Sequence, residues 1–192
     1  MTKTRLEAFS DGVLAIVITI MVLEIKVPHD FSFQALLKLW PIFLSYVLSF
    51  IYLGIYWGNH HHLFHTITRV NSRIIWSNLH LLFWLSLIPF STGWMGENHF
   101  ENLPVALYAV NLMLCAVAYF ILQKSIMAHH TYPENLAAAM KKQEKKGMLS
   151  LVMYIAAIPL AFVHAGISEL IFIAVAILWV IPDKNIEKAL HE

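Results

Sequence analysis

The sequence predicts an all-α integral membrane protein, one domain over residues 1–192 with six transmembrane helices. Three observations carry that prediction. Of the 192 residues, 59% are hydrophobic and only 13% charged, with a mean hydropathy of +0.65, whereas soluble domains carry about a quarter charged residues. Charge-free runs recur at 39–57, 74–95, 103–122 and 148–168, each near the ~20 residues that an α-helix needs to cross hydrocarbon. Lys and Arg also segregate. With six spans, all of them except Lys26 and Lys38 fall on the side of the two termini, which the positive-inside rule makes cytoplasmic. The expected location is the cell membrane, multi-pass.

Helix 1 is predicted over about 4–25, ending before Pro28. Its first turns carry Arg5, Glu7 and Asp11 around the stretch FSDG, and charges at that depth are retained where they face a bundle interior or a water-filled path. Acidic residues precede its apolar stretch and no small-residue cleavage site follows, unlike a signal peptide. Helix 2 is predicted over 39–64. Ahead of it, Ser32 can cap a short interfacial helix and Pro41 suits a first turn; its far end is the run WGNHHHLFH.

Helix 3, over 74–95, is rich in Trp and Phe, holds Asn78 and His80 near its inner end, and should bend at Pro89. Helix 4 spans 103–127 from the first-turn Pro104. Helix 5 spans 147–165; good helix formers in LAAAMKKQEKK allow it to begin in the cytoplasm. The turn HAGIS leads to helix 6 at 167–182. Cys115 stands alone, so no disulfide framework exists. The outer side collects Glu24, Asp30, Glu97, Glu101 and Glu169, an acidic balance that concentrates cations.

Within helix 1, Ile16, Thr19, Ile20 and Leu23 follow steps of three and four and share one face. Such a face is either an ordinary buried stripe or, given the charged start, the lining of an assembly. The Thr19 hydroxyl can face a path or bond back to the carbonyl of Ala15 or Ile16.

The segment RLEAFSDGVLAIVITIMVLEIKVP, with Arg5, Phe9, Ser10 and Asp11 in an R-x-x-x-F-S-D arrangement, closely resembles the first helix of the transmembrane protein 175 family of potassium channels, above all its bacterial branch. WGNHHHLF and NLHLLFWLSLIPF extend the resemblance. It implies a homotetramer of six-helix subunits in which helix 1 lines a central pore. The filter and constriction positions fall on Ile16, Thr19 and Leu23, with Ile20 a further candidate and Ile16 at the narrowest level. It also implies a supporting hydrogen-bond network joining Arg5, Ser10 and Asp11 to Trp57 and His60 or His61.

No TVGYG-like stretch occurs, so rings of backbone carbonyls cannot supply selectivity. A hydrophobic ring that penalises the more tightly hydrated sodium, helped by a threonine hydroxyl, can. The expected function is therefore a potassium-selective channel. Its expected partners are copies of itself, K+ and the lipid bilayer, with no nucleic acid; no cofactor is expected, K+ being the permeant ion.

Other readings stay open at this point. A proton-coupled or secondary transporter would use Asp11 with nearby histidine as a relay, although no inverted repeat is visible. A metal-dependent membrane enzyme would need a ligand set such as HExxH, which is absent. His61 and His65, or His62 and His65, have spacings that suit two ligands on one metal; structural or pH-sensing histidines are the alternatives, and His80 and Asn78 suit interhelical hydrogen bonds. KKQEKK is a solvated charge run or a contact for anionic headgroups. Glu24 is an outer cation-attracting ring or an interfacial anchor.

Overall fold

A computed structural model describes residues 1–130 and 132–180. Helix α1 (Lys3–Ile20) starts where the Thr2 hydroxyl accepts the Arg5 amide hydrogen at 3.3 Å. It continues as a 3₁₀ turn over Met21–Glu24. The short α2 (Phe33–Leu37) is capped by Ser32, whose hydroxyl accepts from the Ala35 amide at 3.3 Å. Helix α3 (Trp40–His65) has Pro41 in its first turn, where a missing amide hydrogen costs nothing.

The predicted third span is two helices, α4 (Ser72–Ser86) and α5 (Ile88–Glu97). Pro89 cannot donate to the carbonyl four residues back. The chain tightens just before it, with the Leu87 amide on the Trp84 carbonyl at 3.2 Å. Helix α6 (Asn102–Met127) follows a turn in which His99 and Phe100 adopt positive φ. Helices α7 (Glu134–Val163) and α8 (Ala165–Val180) form an antiparallel hairpin, tied by the Ser168 hydroxyl on the Ala157 carbonyl at 2.7 Å.

Five of the described helical segments are long and apolar enough to cross a membrane: Lys3–Glu24, Trp40–His65, Ser72–Glu97, Asn102–Met127 and Glu134–Val163. The sixth predicted span corresponds to α8, which is apolar but has 16 residues. Positions 181 and 182 of that prediction, and the inner-side Lys184 and Lys188, lie outside the described residues.

Helix α7 begins well before the predicted residue 147. The helix formers of LAAAMKKQEKK allow that early start, and tertiary contacts hold it: Leu136, Ala139, Met140 and Gln143 are buried along its first turns, and Gln123 of α6 donates to the Met140 carbonyl at 3.1 Å. KKQEKK is thus exposed only in part. Gln143 lies inside, donating to the Asn59 side-chain oxygen at 2.9 Å, and Glu144 pairs with Lys124 at 2.8 Å.

The core is built around α6, whose Tyr108, Ala109, Leu112, Cys115, Ala118 and Leu122 are fully buried. Small side chains let helices approach closely, the main source of packing energy in lipid. On α5, a Cβ on Gly96 would lie 2.5 Å from the Ser45 hydroxyl and 2.8 Å from the Ile42 Cα, so α5 rests on the backbone of α3. Buried hydroxyls are partnered there: Thr92 donates to Ser49 at 2.7 Å, and Ser49 shares a 2.8 Å bond with Tyr108. Helix α1 packs on α3, α4 and α5 and leaves the rest of its circumference open.

Candidate functional site

The two sides of α1 differ sharply. Leu6, Ser10, Leu14, Val17 and Met21 are buried against the rest of the subunit. Ile16, Thr19, Ile20 and Leu23 are exposed, Ile16 at 61% and Leu23 at 73%, because at 100° per residue they fall about a third of a turn away from the buried set. Among the described residues this apolar stripe is left uncovered along the helix. The Thr19 hydroxyl donates back to the Ala15 and Ile16 carbonyls, at 2.8 and 3.0 Å. With its hydrogen directed at the backbone, its oxygen lone pairs are the part left for another ligand.

At the inner end, side chains from three helices meet. The Trp57 indole of α3 donates to the Asp11 carboxylate at 3.0 Å. Ser10, fully buried, donates to the Leu6 carbonyl at 2.9 Å and accepts from the Asn78 amide of α4 at 2.9 Å. The Asn78 oxygen bonds His60 Nε2 of α3 at 2.7 Å, and the His60 ring stacks on Phe64 with centroids 4.3 Å apart. One amide thus fastens α1 to α4 and α4 to α3. In a hydrocarbon setting each of these groups needs such a partner, since water is not available to supply one.

Not every sequence-expected member joins. Arg5 is exposed, and among the described residues no side-chain hydrogen bond or ion pair ties it to Asp11 or to α3. Six residues separate Arg5 from Asp11, a rotation of about 240° and a rise of about 9 Å. Arg5 accordingly falls on the Ile16–Leu23 side and Asp11 on the flank towards α3. His61 stacks against Trp57, centroids 6.4 Å apart, and meets His65 edge-on at 4.4 Å. It buttresses the indole.

Asn78 is the member that sequence reasoning did not place in the network. Its signal was present, an amide within the third span, one span from His60 and two from Ser10, but only three-dimensional packing shows what it bridges. His80 differs from the interhelical role expected of it, accepting instead from Trp84 of its own helix at 2.9 Å. Among the described residues no three His, Cys, Asp or Glu side chains are grouped to hold a metal ion. Glu24 lies against α5, where a Cβ on Gly93 would be 3.0 Å from its carboxylate. Next to it, Lys26 bonds Glu97 at 2.5 Å; that hydrogen bond, and then the carboxylate charge, raise the pKa of the lysine above its ordinary value.

A bundle of apolar helices, five of them long and apolar enough to cross a membrane, with a first helix anchored by polar side chains, defines a polytopic membrane protein. Residues 5–89 match the family model described as endosomal/lysosomal potassium channel TMEM175. A potassium channel of Chryseobacterium sp. (strain P1-3) is 50% identical over the full length of both chains. Another, from Streptomyces collinus, is 32% identical over 85% of this chain and 84% of its own. The chain belongs to the TMEM175 family. The crystal structure of a lysosomal potassium-selective channel TMEM175 homolog from Chamaesiphon minutus superposes with a TM-score of 0.78 at 29% identity, covering 93% of this chain and 96% of that one. A chicken relative, 28% identical over 67% of this chain and 29% of its own length, bears the name endosomal/lysosomal proton channel TMEM175.

Proposed function

We propose that this chain is a potassium-selective channel in which four copies surround a pore lined by the exposed stripe of α1, with the terminus-bearing side in the cytoplasm. The observation that carries the reading is the two-sidedness of α1. Its buried side is fixed to the subunit by Ser10, Asn78 and His60, while Ile16, Thr19, Ile20 and Leu23 remain uncovered. One helix cannot enclose a path, so several copies must contribute one each.

The chemistry follows from the side chains. A ring of Ile16 offers no ligand to replace hydration water, so it acts by size and by the cost of shedding that water, which is greater for sodium. A small narrowing expels water and closes the path, as hydrophobic constrictions do. One turn outward, a ring of Thr19 oxygens, their hydrogens held by the backbone, supplies partial coordination. Selectivity is therefore moderate. The network beneath keeps α1 from rotating, which would replace Ile16 in the ring by Val17 or Ala15.

The test is the reversal potential of purified protein in planar bilayers under opposed potassium and sodium gradients. A shift towards the potassium equilibrium value supports the proposal; currents that reverse at zero, or no current from intact oligomers, overturn it. The name carried by the animal relatives gives proton permeation as a second reading. It predicts instead a reversal potential that follows an imposed pH gradient. The carrier reading has less support, because among the described residues Asp11 is bonded to Trp57 and His60 to Asn78, with no hydrogen bond between the two.

A further inference from the structure

Of the R-x-x-x-F-S-D arrangement, Ser10 is held by Asn78 and Asp11 by Trp57, but that network makes no use of Phe9. Nor is Phe9 part of the core. Its chain neighbours on the packed side, Leu6 and Ser10, are buried, whereas among the described residues Phe9 itself is 50% exposed. Arg5, Asp11 and Gly12 are exposed in the same turns, and charged side chains at such a level go with a water-filled path better than with hydrocarbon.

Helical rotation fixes the direction in which Phe9 points. Phe9 and Ile16 both lie within α1 (Lys3–Ile20), and seven residues turn an α-helix through two turns less about 20°. Phe9 thus projects in nearly the same direction as Ile16, closer to it than Thr19, which is about 60° away. Whatever Ile16 faces, Phe9 faces too. The rise between them is about 10 Å, with Phe9 towards the amino terminus.

Between the two, about 40° from Ile16, the same side of the helix passes through Gly12. Glycine inside a helix costs about 1 kcal/mol relative to alanine, and nothing in the subunit's packing calls for it here. Its φ is not positive, and among the described residues a Cβ would meet nothing within 4 Å. What the missing side chain supplies is width on the exposed side.

We propose that Phe9 of each copy contributes to a second, aromatic constriction, about 10 Å to the cytoplasmic side of the Ile16 ring, with a wider, water-holding chamber between them at Gly12. This rests on the reading that α1 lines the path. A ring of benzyl groups offers no oxygen to replace hydration water, so it resists passage as other apolar constrictions do. Ions that cross it rehydrate in the chamber before meeting Ile16. Phe9 therefore limits the conductance, while the permeability ratio is set at the narrowest level, Ile16, with Thr19 beyond it.

The experiment is single-channel recording of the purified full-length protein in planar bilayers under symmetrical potassium. Because constrictions in series add their resistances, Phe9→Ala should raise the unitary conductance by about twofold or more, with a potassium-to-sodium ratio within about twofold of wild type. Phe9→Trp should lower the conductance, and so should Gly12→Leu, which fills the chamber. Leu23→Cys, treated with a small cationic thiol reagent in the same recordings, checks the pore itself. Block of Leu23→Cys with wild-type conductance in both Phe9 variants would overturn the proposal and leave the pore reading standing. Absence of block in Leu23→Cys would remove the pore reading and this proposal with it. Should Phe9→Ala fail to assemble, Phe9→Trp and Gly12→Leu decide: wild-type conductance in both overturns the proposal.

Discussion

At the scale of single residues, the stripe on α1 and the bonds beneath it make separable predictions. Ile16→Asn replaces an apolar ring member by one that carries water and ligands, so currents should grow and the potassium-to-sodium permeability ratio should fall; unchanged selectivity would remove Ile16 from the constriction. Thr19→Val keeps the shape and deletes the oxygen. Selectivity should drop by about two- to tenfold, the equivalent of roughly 0.5–1.4 kcal/mol, the scale of one hydrogen bond, as read from bi-ionic reversal potentials. Asn78→Leu leaves His60 Nε2 without its partner and Ser10 with only its bond to the Leu6 carbonyl, at a cost of about 1–3 kcal/mol, visible as a lower melting temperature. The amino-acid sequence exposed the stripe through its three- and four-residue steps, and the family resemblance implied a network of Ser10 and Asp11 with Trp57 and His60 or His61. It could not show that Asn78 joins two of them, because that contact spans 68 residues on one side and 18 on the other. Arg5 shows the converse. The family resemblance implied a shared network, and helical rotation places Arg5 on another side of α1.

At the scale of elements, hydropathy made the spans legible wherever lipid itself dictates the pattern. The early start of α7 was legible in the helix formers of LAAAMKKQEKK, but the burial of Leu136, Met140 and Gln143 was not, since they owe it to α6 and Asn59 and no local signal encodes that partner. The α4–α5 break at Pro89 was visible because the missing amide hydrogen is local chemistry. Glycine contacts give the sharpest element-level test. Gly96→Ala would press α5 against the α3 backbone and should destabilise by about 1–3 kcal/mol, whereas Gly54→Ala, with open space at its Cβ position, should change stability little or raise it through better helix propensity. Parallel thermal unfolding of both variants in one detergent checks this. Equal effects would mean that α3 and α5 are not in backbone contact.

At the scale of the whole molecule, the subunit has a dense interior about α6 and a first helix with a large uncovered side. The proposed channel requires four subunits, which light scattering or native mass spectrometry would count. The central claim, that the exposed stripe of α1 lines the conducting path, is most directly tested by cysteine accessibility. Cys115 is the only cysteine in the chain and is buried, so the background is silent. Single variants Ile20→Cys and Leu23→Cys on the stripe, and Leu14→Cys and Val17→Cys on the buried side, would be exposed to a small cationic thiol reagent during recording of potassium currents. On that claim the first pair should be blocked rapidly, and current should persist in the second. Block of Leu14→Cys or Val17→Cys with Ile20→Cys and Leu23→Cys untouched would contradict it, and would move the path to another face of the molecule.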